Sequence, residues 1–154
     1  MSYGDEVISD DLYRQIILDH YMNPRNTGCL EHPSFHLEGT NPTCGDTLEL
    51  DLIIEDGIVK DVAYEGTGCS ISMASASMLT EAIKGQKVED ALKIAHAFKA
   101  RILSKDEPAD DVDIGELEAL DGVKDYPVRI KCALLSWNTL LQAIDPNAAH
   151  MPGE

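Results

Sequence analysis

Lysine and arginine are scarce in this chain, 12 against 28 aspartates and glutamates, which leaves a formal net charge of -16. Neutralising nucleic-acid phosphates takes clustered cations, so this balance argues against nucleic acid and favours a basic protein partner. Long apolar runs are also missing. No stretch approaches the roughly 20 residues that a membrane-spanning helix needs, so no membrane association is expected. The opening residues Met1-Ser2-Tyr3-Gly4-Asp5-Glu6 lack the basic and apolar regions of a signal peptide, and the expected location is the cytoplasm. There is no internal repeat. Cysteine is limited to Cys29, Cys44, Cys69 and Cys132. A chain of 154 residues with 44% hydrophobic content can bury an ordinary core without staples, so four thiols in a reducing compartment do not read as a disulfide framework. Metal binding or thiol chemistry is then the alternative to plain burial. The expected organisation is one domain over residues 1–154.

Read in order, Ser9-Asp10-Asp11 offers a capping side chain and two carboxylates ahead of Leu12, Ile16, Ile17 and Tyr21, the spacing of an amphipathic helix that Asn23-Pro24 ends. Cys29 follows in a loop and is read as structural or incidental. From Ser34 the pattern is extended: Leu48, Leu50, Leu52 and Ile54 share one face, with Thr47, Glu49 and Asp51 opposite. Asp56-Gly57 predicts a two-residue hairpin, with Val62 and Tyr64 inward on the return strand. A helix with Ile71, Ala74, Met78, Ala82 and Ile83 on one side stops at Gly85, and Val88, Leu92, Ala95, Phe98 and Ile102 mark another. From Ser104 to Asp125, nine acidic residues outnumber two lysines, which reads as a solvated insertion with a short helix around Ile114 to Leu120. Pro127 suits the first turn of a last helix whose apolar stripe includes Val128, Leu134 or Leu135, Trp137, Leu141 and Ile144.

The chemistry concentrates where thiols adjoin turns and helix starts. In Asn41-Pro42-Thr43-Cys44-Gly45-Asp46, Asp46 has the parity of the apolar strand face and should point inward, where a carboxylate needs partners. Cys69, inside Gly66-Thr67-Gly68-Cys69-Ser70, precedes a helix whose free amides and dipole favour thiolate. Cys132 lies early in the last helix, with Arg129 three residues before it on the same face as a candidate supporting charge, to pair with Asp46 or to lower a thiol pKa. Cys44, Asp46, Cys69 and Cys132 together form a tetrahedral zinc set, although spacings of 25 and 63 residues are not those of a zinc finger and leave simple burial of each thiol open. No histidine lies beside these motifs, and His96 reads as a surface or satisfied residue.

Asp19-His20-Tyr21-Met22-Asn23-Pro24-Arg25-Asn26, Cys44-Gly45-Asp46, Gly68-Cys69-Ser70-Ile71-Ser72 and Val128-Arg129-Ile130-Lys131-Cys132 occur in this order between Leu12 and Ile144. With these motifs the chain resembles the SufU branch of the IscU/NifU-type iron-sulfur cluster assembly proteins. The resemblance implies an α+β fold, with a small antiparallel sheet of about three strands packed against helices. It implies Zn2+ held by Cys44, Asp46, Cys69 and Cys132. It also implies a zinc-dependent sulfurtransferase that accepts persulfide sulfur from a SufS-type cysteine desulfurase and passes it to downstream iron-sulfur assembly proteins. The alternative is a scaffold that carries a transient iron-sulfur cluster on the same residues. Two features are typical of this branch, Lys131 where scaffold members carry histidine and the acidic insertion at about 104–125, and Lys131 is the one that favours transfer. Among the thiols, Cys44 is the expected catalytic acceptor, because a loop flanked by proline and glycine moves more easily than a helix start.

Overall fold

Residues 2–103 and 114–145 are described by a computed structural model, with side chains from residue 12 onward. Along the chain come α1 (Ser2–Met22), β1 (Phe35–Asn41), β2 (Asp46–Glu55), β3 (Ile58–Thr67), α2 (Ser70–Ile83), α3 (Val88–Leu103), a 3-10 helix (Gly115–Asp125) and α4 (Pro127–Ile144). The alternating apolar pattern of β2 produces its strand. Leu48, Leu50 and Leu52 are buried, and β2 pairs antiparallel with β1 on one side and β3 on the other, in the order β1-β2-β3. Asp56 and Gly57 both take positive φ, 55° and 75°, as the turn between β2 and β3 requires. Val62 and Tyr64 are buried on β3. This is the expected α+β architecture with a three-stranded antiparallel sheet.

The helices cover the inner sheet face. Ala91, Ala95, Phe98 and Ile102 of α3 are buried, as are Met78, Leu79 and Ile83 of α2, which stops just before Gly85 (φ 85°). Pro127 occupies the start of α4, where its missing N–H costs nothing. Fully buried Trp137 packs against Phe98 with ring centroids 5.2 Å apart. Its Nε1 donates to Ser75 Oγ at 3.1 Å, and Ser75 Oγ donates in turn to the Ala133 carbonyl at 2.7 Å, which locks α2 to α4. Among the described residues, no helix is long and apolar enough to cross a membrane.

Three local expectations are corrected. Helix α1 begins at Ser2, so Ser9-Asp10-Asp11 lies within it and does not cap it. Its inward face is also different: Leu12 and Tyr21 are exposed, Ile16 and Ile17 pack against the core, and His20 is buried. His20 Nδ1 lies 2.8 Å from Ser77 Oγ, and Nε2 lies 3.1 Å from Glu116 Oε1, tying α1 to α2 and to the 3-10 helix. The second correction concerns the acidic stretch. Residues 104–113 lie outside the described residues, but Ile114, Leu117, Leu120 and Val123 are buried in the core, so this half is structural and not a solvated excursion. Third, Val128 is exposed because the first turn of α4 projects beyond the core.

One glycine fixes how closely β2 and β3 meet. A Cβ at Gly66 would fall 2.2 Å from the Thr47 carbonyl oxygen, which is backbone and cannot rotate away. Gly66→Ala should therefore destabilise the fold by about 2 kcal/mol, the usual scale of overpacking. A denaturant titration that leaves the midpoint unchanged would contradict this.

Candidate metal centre

The end of the sheet and the starts of two helices converge on one carboxylate. Asn41 ends β1 and Asp46 begins β2, paired across a four-residue turn that carries Cys44, with Gly45 at φ 73°. Asp46 keeps the inward parity of Leu48 and is 1% exposed. Its Oδ1 accepts the Cys69 backbone N–H at 3.0 Å, and its Oδ2 accepts Asn41 Nδ2 at 3.3 Å. Cys69 is the N-cap of α2, where the chain is extended (φ -72°, ψ 166°) and its side chain caps nothing. Gly68 must be glycine-sized, since a Cβ there would meet Asp46 Oδ1 at 2.5 Å and Ser72 Oγ at 2.6 Å. Cys132 comes in the second turn of α4 and is fully buried.

The structure gathers Cys44, Asp46 and Cys132 so that one donor atom from each lies within 4.8 Å of the others. The Cys44 and Cys132 sulfurs are 3.1 Å apart, far beyond the roughly 2.05 Å of a disulfide. Cys69 stands outside this set of three: its Sγ is 3.7 Å from Ser72 Oγ, although it is close enough to Cys132 for the two thiols to influence each other. Tetrahedral zinc with bonds of about 2.3 Å separates its sulfur ligands by about 3.8 Å, so Cys44 and Cys132 at 3.1 Å would part by about 0.7 Å to share it. Two thiols and a carboxylate thus lie close enough to share one zinc ion, and Cys69 is the neighbouring thiol that would complete a set of four. Iron-sulfur clusters use the same thiolate chemistry, so the transient-cluster alternative fits these donors too.

Electrostatics distinguishes the thiols. Burial pushes Cys69 up, but the Ser72 amide and hydroxyl, together with the Cys132 thiol, bring it net below the ordinary thiol value. Burial, followed by the Cys44 and Cys69 thiols, drives Cys132 well above it. Metal coordination would override both, since a bound cation is the largest local charge. Arg129 is exposed and makes no ion pair with Asp46, contrary to one of its expected roles. Its guanidinium is held above the ordinary value chiefly by Cys69 and then by Cys132, which places its charge within reach of both thiols.

Sequence reasoning missed two supporting residues. Asn41 is 6% exposed and directs Nδ2 at Asp46 and, at 3.7 Å, at Cys132 Sγ. Ser72 steadies Cys69 through its thiol and, at 3.1 Å, its carbonyl. Asparagine before Pro-Thr-Cys and serine three residues after Cys69 were visible, but only the fold reveals their direction. Cys29 is exposed and is not among the gathered donors, and the exposed His96 is satisfied by Asp145 at 3.0 Å, as expected of it.

The profile of the NifU-like N terminal domain matches residues 12–133. The chain is 50% identical over 135 residues to the zinc-dependent sulfurtransferase SufU of Bacillus subtilis (strain 168), covering 88% of this chain and 90% of that one. It is 39% identical over 142 residues to the iron-sulfur cluster assembly scaffold protein IscU of Streptococcus pyogenes serotype M1, covering 91% and 88%. The crystal structure of an iron-sulfur cluster assembly scaffold protein for the SUF system from Fervidobacterium islandicum AW-1 superposes with a TM-score of 0.76 at 34% identity, covering 81% of this chain and 90% of the other. The fold and the site define an IscU/NifU-type iron-sulfur cluster assembly domain. The chain belongs to the NifU-like N-terminal domain family, and half of its aligned residues are identical to those of the SufU protein above.

If these donors hold zinc, binding stabilises the fold. At 100 times its Kd, zinc should add about 2.7 kcal/mol to the unfolding free energy. Asp46→Ala and Cys132→Ala should lose most of that gain and most bound zinc, whereas Cys29→Ser should keep both. Full zinc retention by elemental analysis in Asp46→Ala and Cys132→Ala would remove the site.

Proposed function

We propose that this protein is a zinc-dependent sulfurtransferase that accepts persulfide sulfur from a SufS-type cysteine desulfurase, with Cys44 as the acceptor and Cys44, Asp46, Cys69 and Cys132 as the zinc ligands. The observation that carries this reading is the placement of the thiols. Cys44 rides on a four-residue turn at the end of the sheet, whereas Cys69 is anchored through its backbone to Asp46 and Cys132 is buried in a helix. Cys44 alone can swing toward a partner without displacing a helix.

Zinc, when bound, would keep the ligand thiols deprotonated while engaging their electron pairs. In the transfer, the Cys44 thiolate attacks the outer sulfur of the persulfide on the desulfurase. A new S–S bond forms at Cys44, the donor's S–S bond breaks, and the donor cysteine leaves as thiolate. No external oxidant or reductant is needed. Arg129 offers a positive charge beside Cys69 and Cys132 as sulfur moves, and Asn41 and the Cys69 amide hold Asp46 in place. The sulfur then passes to downstream iron-sulfur assembly proteins.

A second reading, a scaffold on which a cluster is built, draws on the same donors and on the Streptococcus relative's name. Lys131 weighs against it: a cation has no lone pair to give a metal, and the side chain is exposed on the α4 face that lines a cleft beside β1.

After reaction with desulfurase and cysteine, alkylation and mass spectrometry should find the persulfide on Cys44. A Cys44→Ser variant should stimulate the desulfurase little. Label confined to Cys69 or Cys132, or full stimulation by Cys44→Ser, would overturn the assignment. The net charge of -16 suggests a basic docking patch on the desulfurase, with attraction screened over about 8 to 10 Å in ordinary salt. The association rate should therefore fall as salt rises from low to high ionic strength. A rate indifferent to salt in stopped-flow measurements would count against electrostatic steering.

A further inference from the structure

Strand β1 is an edge of the sheet, and among the described residues no other strand pairs with its outer side. Helix α4 packs tightly on the same strand. A Cβ at Gly39 would lie 2.2 Å from Thr139 Oγ1 and 3.2 Å from Leu135 Cδ1, so glycine lets the helix seat directly over the strand. Between them runs a cleft of about 640 Å³, bounded on the strand side by residues 38–43 and on the helix side by side chains three and four residues apart. Ile130 and Leu134 give it apolar surface, while Lys131 and Asn138 give it polar groups. Lys99 adds a second cation from α3. A free strand edge beside a helix face is the form of groove in which an extended peptide can add a strand, taking affinity from main-chain hydrogen bonds and specificity from side chains.

From this geometry we infer that the β1–α4 groove is a docking site for an extended, carboxylate-bearing segment of a partner protein. The occupant is specified by charge. In a chain with only 12 basic residues, Lys99 and Lys131 both line this one cleft, and neither forms an ion pair among the described residues. A second copy of this chain is a poorer occupant, because antiparallel self-pairing of Phe35–Asn41 about its centre would put Glu38 directly opposite Glu38, whereas a partner segment can set its carboxylates toward Lys99 and Lys131 and away from Glu38. Position gives the docking a consequence. The groove ends at Pro42 and Thr43, immediately before Cys44, and Lys131 immediately precedes Cys132. A strand laid along β1 therefore restrains the turn that carries the Cys44 thiol. This inference does not depend on which thiol accepts sulfur.

The test uses the full zinc-loaded chain labelled with ¹⁵N, titrated with an acetylated octapeptide that alternates glutamate with threonine or valine. Amide shifts should concentrate at Gly39, Thr40, Asn41 and Asn138. The same peptide with lysine in place of glutamate, and the glutamate peptide with N-methylated backbone, should produce none. The double variant Lys99→Glu/Lys131→Glu should bind at least about tenfold more weakly. Both lysines are at least partly exposed, and the lysine-peptide comparison on the unaltered chain stands if the double variant fails to fold. Absence of shifts, shifts on another face, or equal binding by the two peptides would overturn the proposal. So would sedimentation showing a dimer paired through β1, which would assign the groove to a second copy.

Discussion

A carboxylate removed from water has to be compensated inside the protein, and the Asp46 carboxylate sets the terms for everything around it. Leaving such a group buried without partners costs several kcal/mol, so the fold supplies donors from two directions: the Cys69 amide at the start of α2 and the Asn41 side chain at the end of β1. Each donor fixes an element. The amide sets where α2 begins, and Asn41 closes the turn that displays Cys44. Gly68 follows from the same demand, because no side chain fits between Asp46 and Ser72. The arrangement that satisfies one buried acid thereby brings thiols from three distant stretches of chain to a common point.

The parts of this fold that were legible in sequence are those where one face meets one environment. Strand β2 alternates because one side packs and the other is wet, and Asp56-Gly57 could adopt the two positive φ values of its turn. The inward direction of Asp46 followed from the same alternation. Legibility failed where the environment was assembled from afar. The inner face of α1 turns on His20, whose partners are 57 and 96 residues away, so a polar residue holds a position that apolar periodicity could not foresee. The acidic stretch misled differently. Its composition suggests solvent, yet Ile114, Leu117, Leu120 and Val123 recur every third residue, the repeat of a 3-10 helix burying one edge. Around the thiols, residue type pointed to the ligands, while the direction of Asn41, and of Cys69 toward Ser72, needed the fold.

The centre divides its work between rigid and compliant parts. Cys132 belongs to a helix tied through Ser75 and Trp137 to α2, and α2 in turn begins at Cys69. Those two positions move only if the helix pair moves. Cys44 hangs from a turn in which its own amide donates to the Asn41 carbonyl at 3.2 Å. Strand β1 leads directly into that turn, and among the described residues no strand pairs with its other edge.

The seam between α2 and α4 also gives the molecule an optical reporter. Trp137 is the chain's single tryptophan, enclosed against Phe98 and hydrogen-bonded to Ser75, five residues along the same helix from Cys132. Its emission arises from one dry, fixed environment. Any event at the thiols that shifts α4 against α2 changes the polarity around that indole, and the native chain signals it as a change in fluorescence colour without an attached dye.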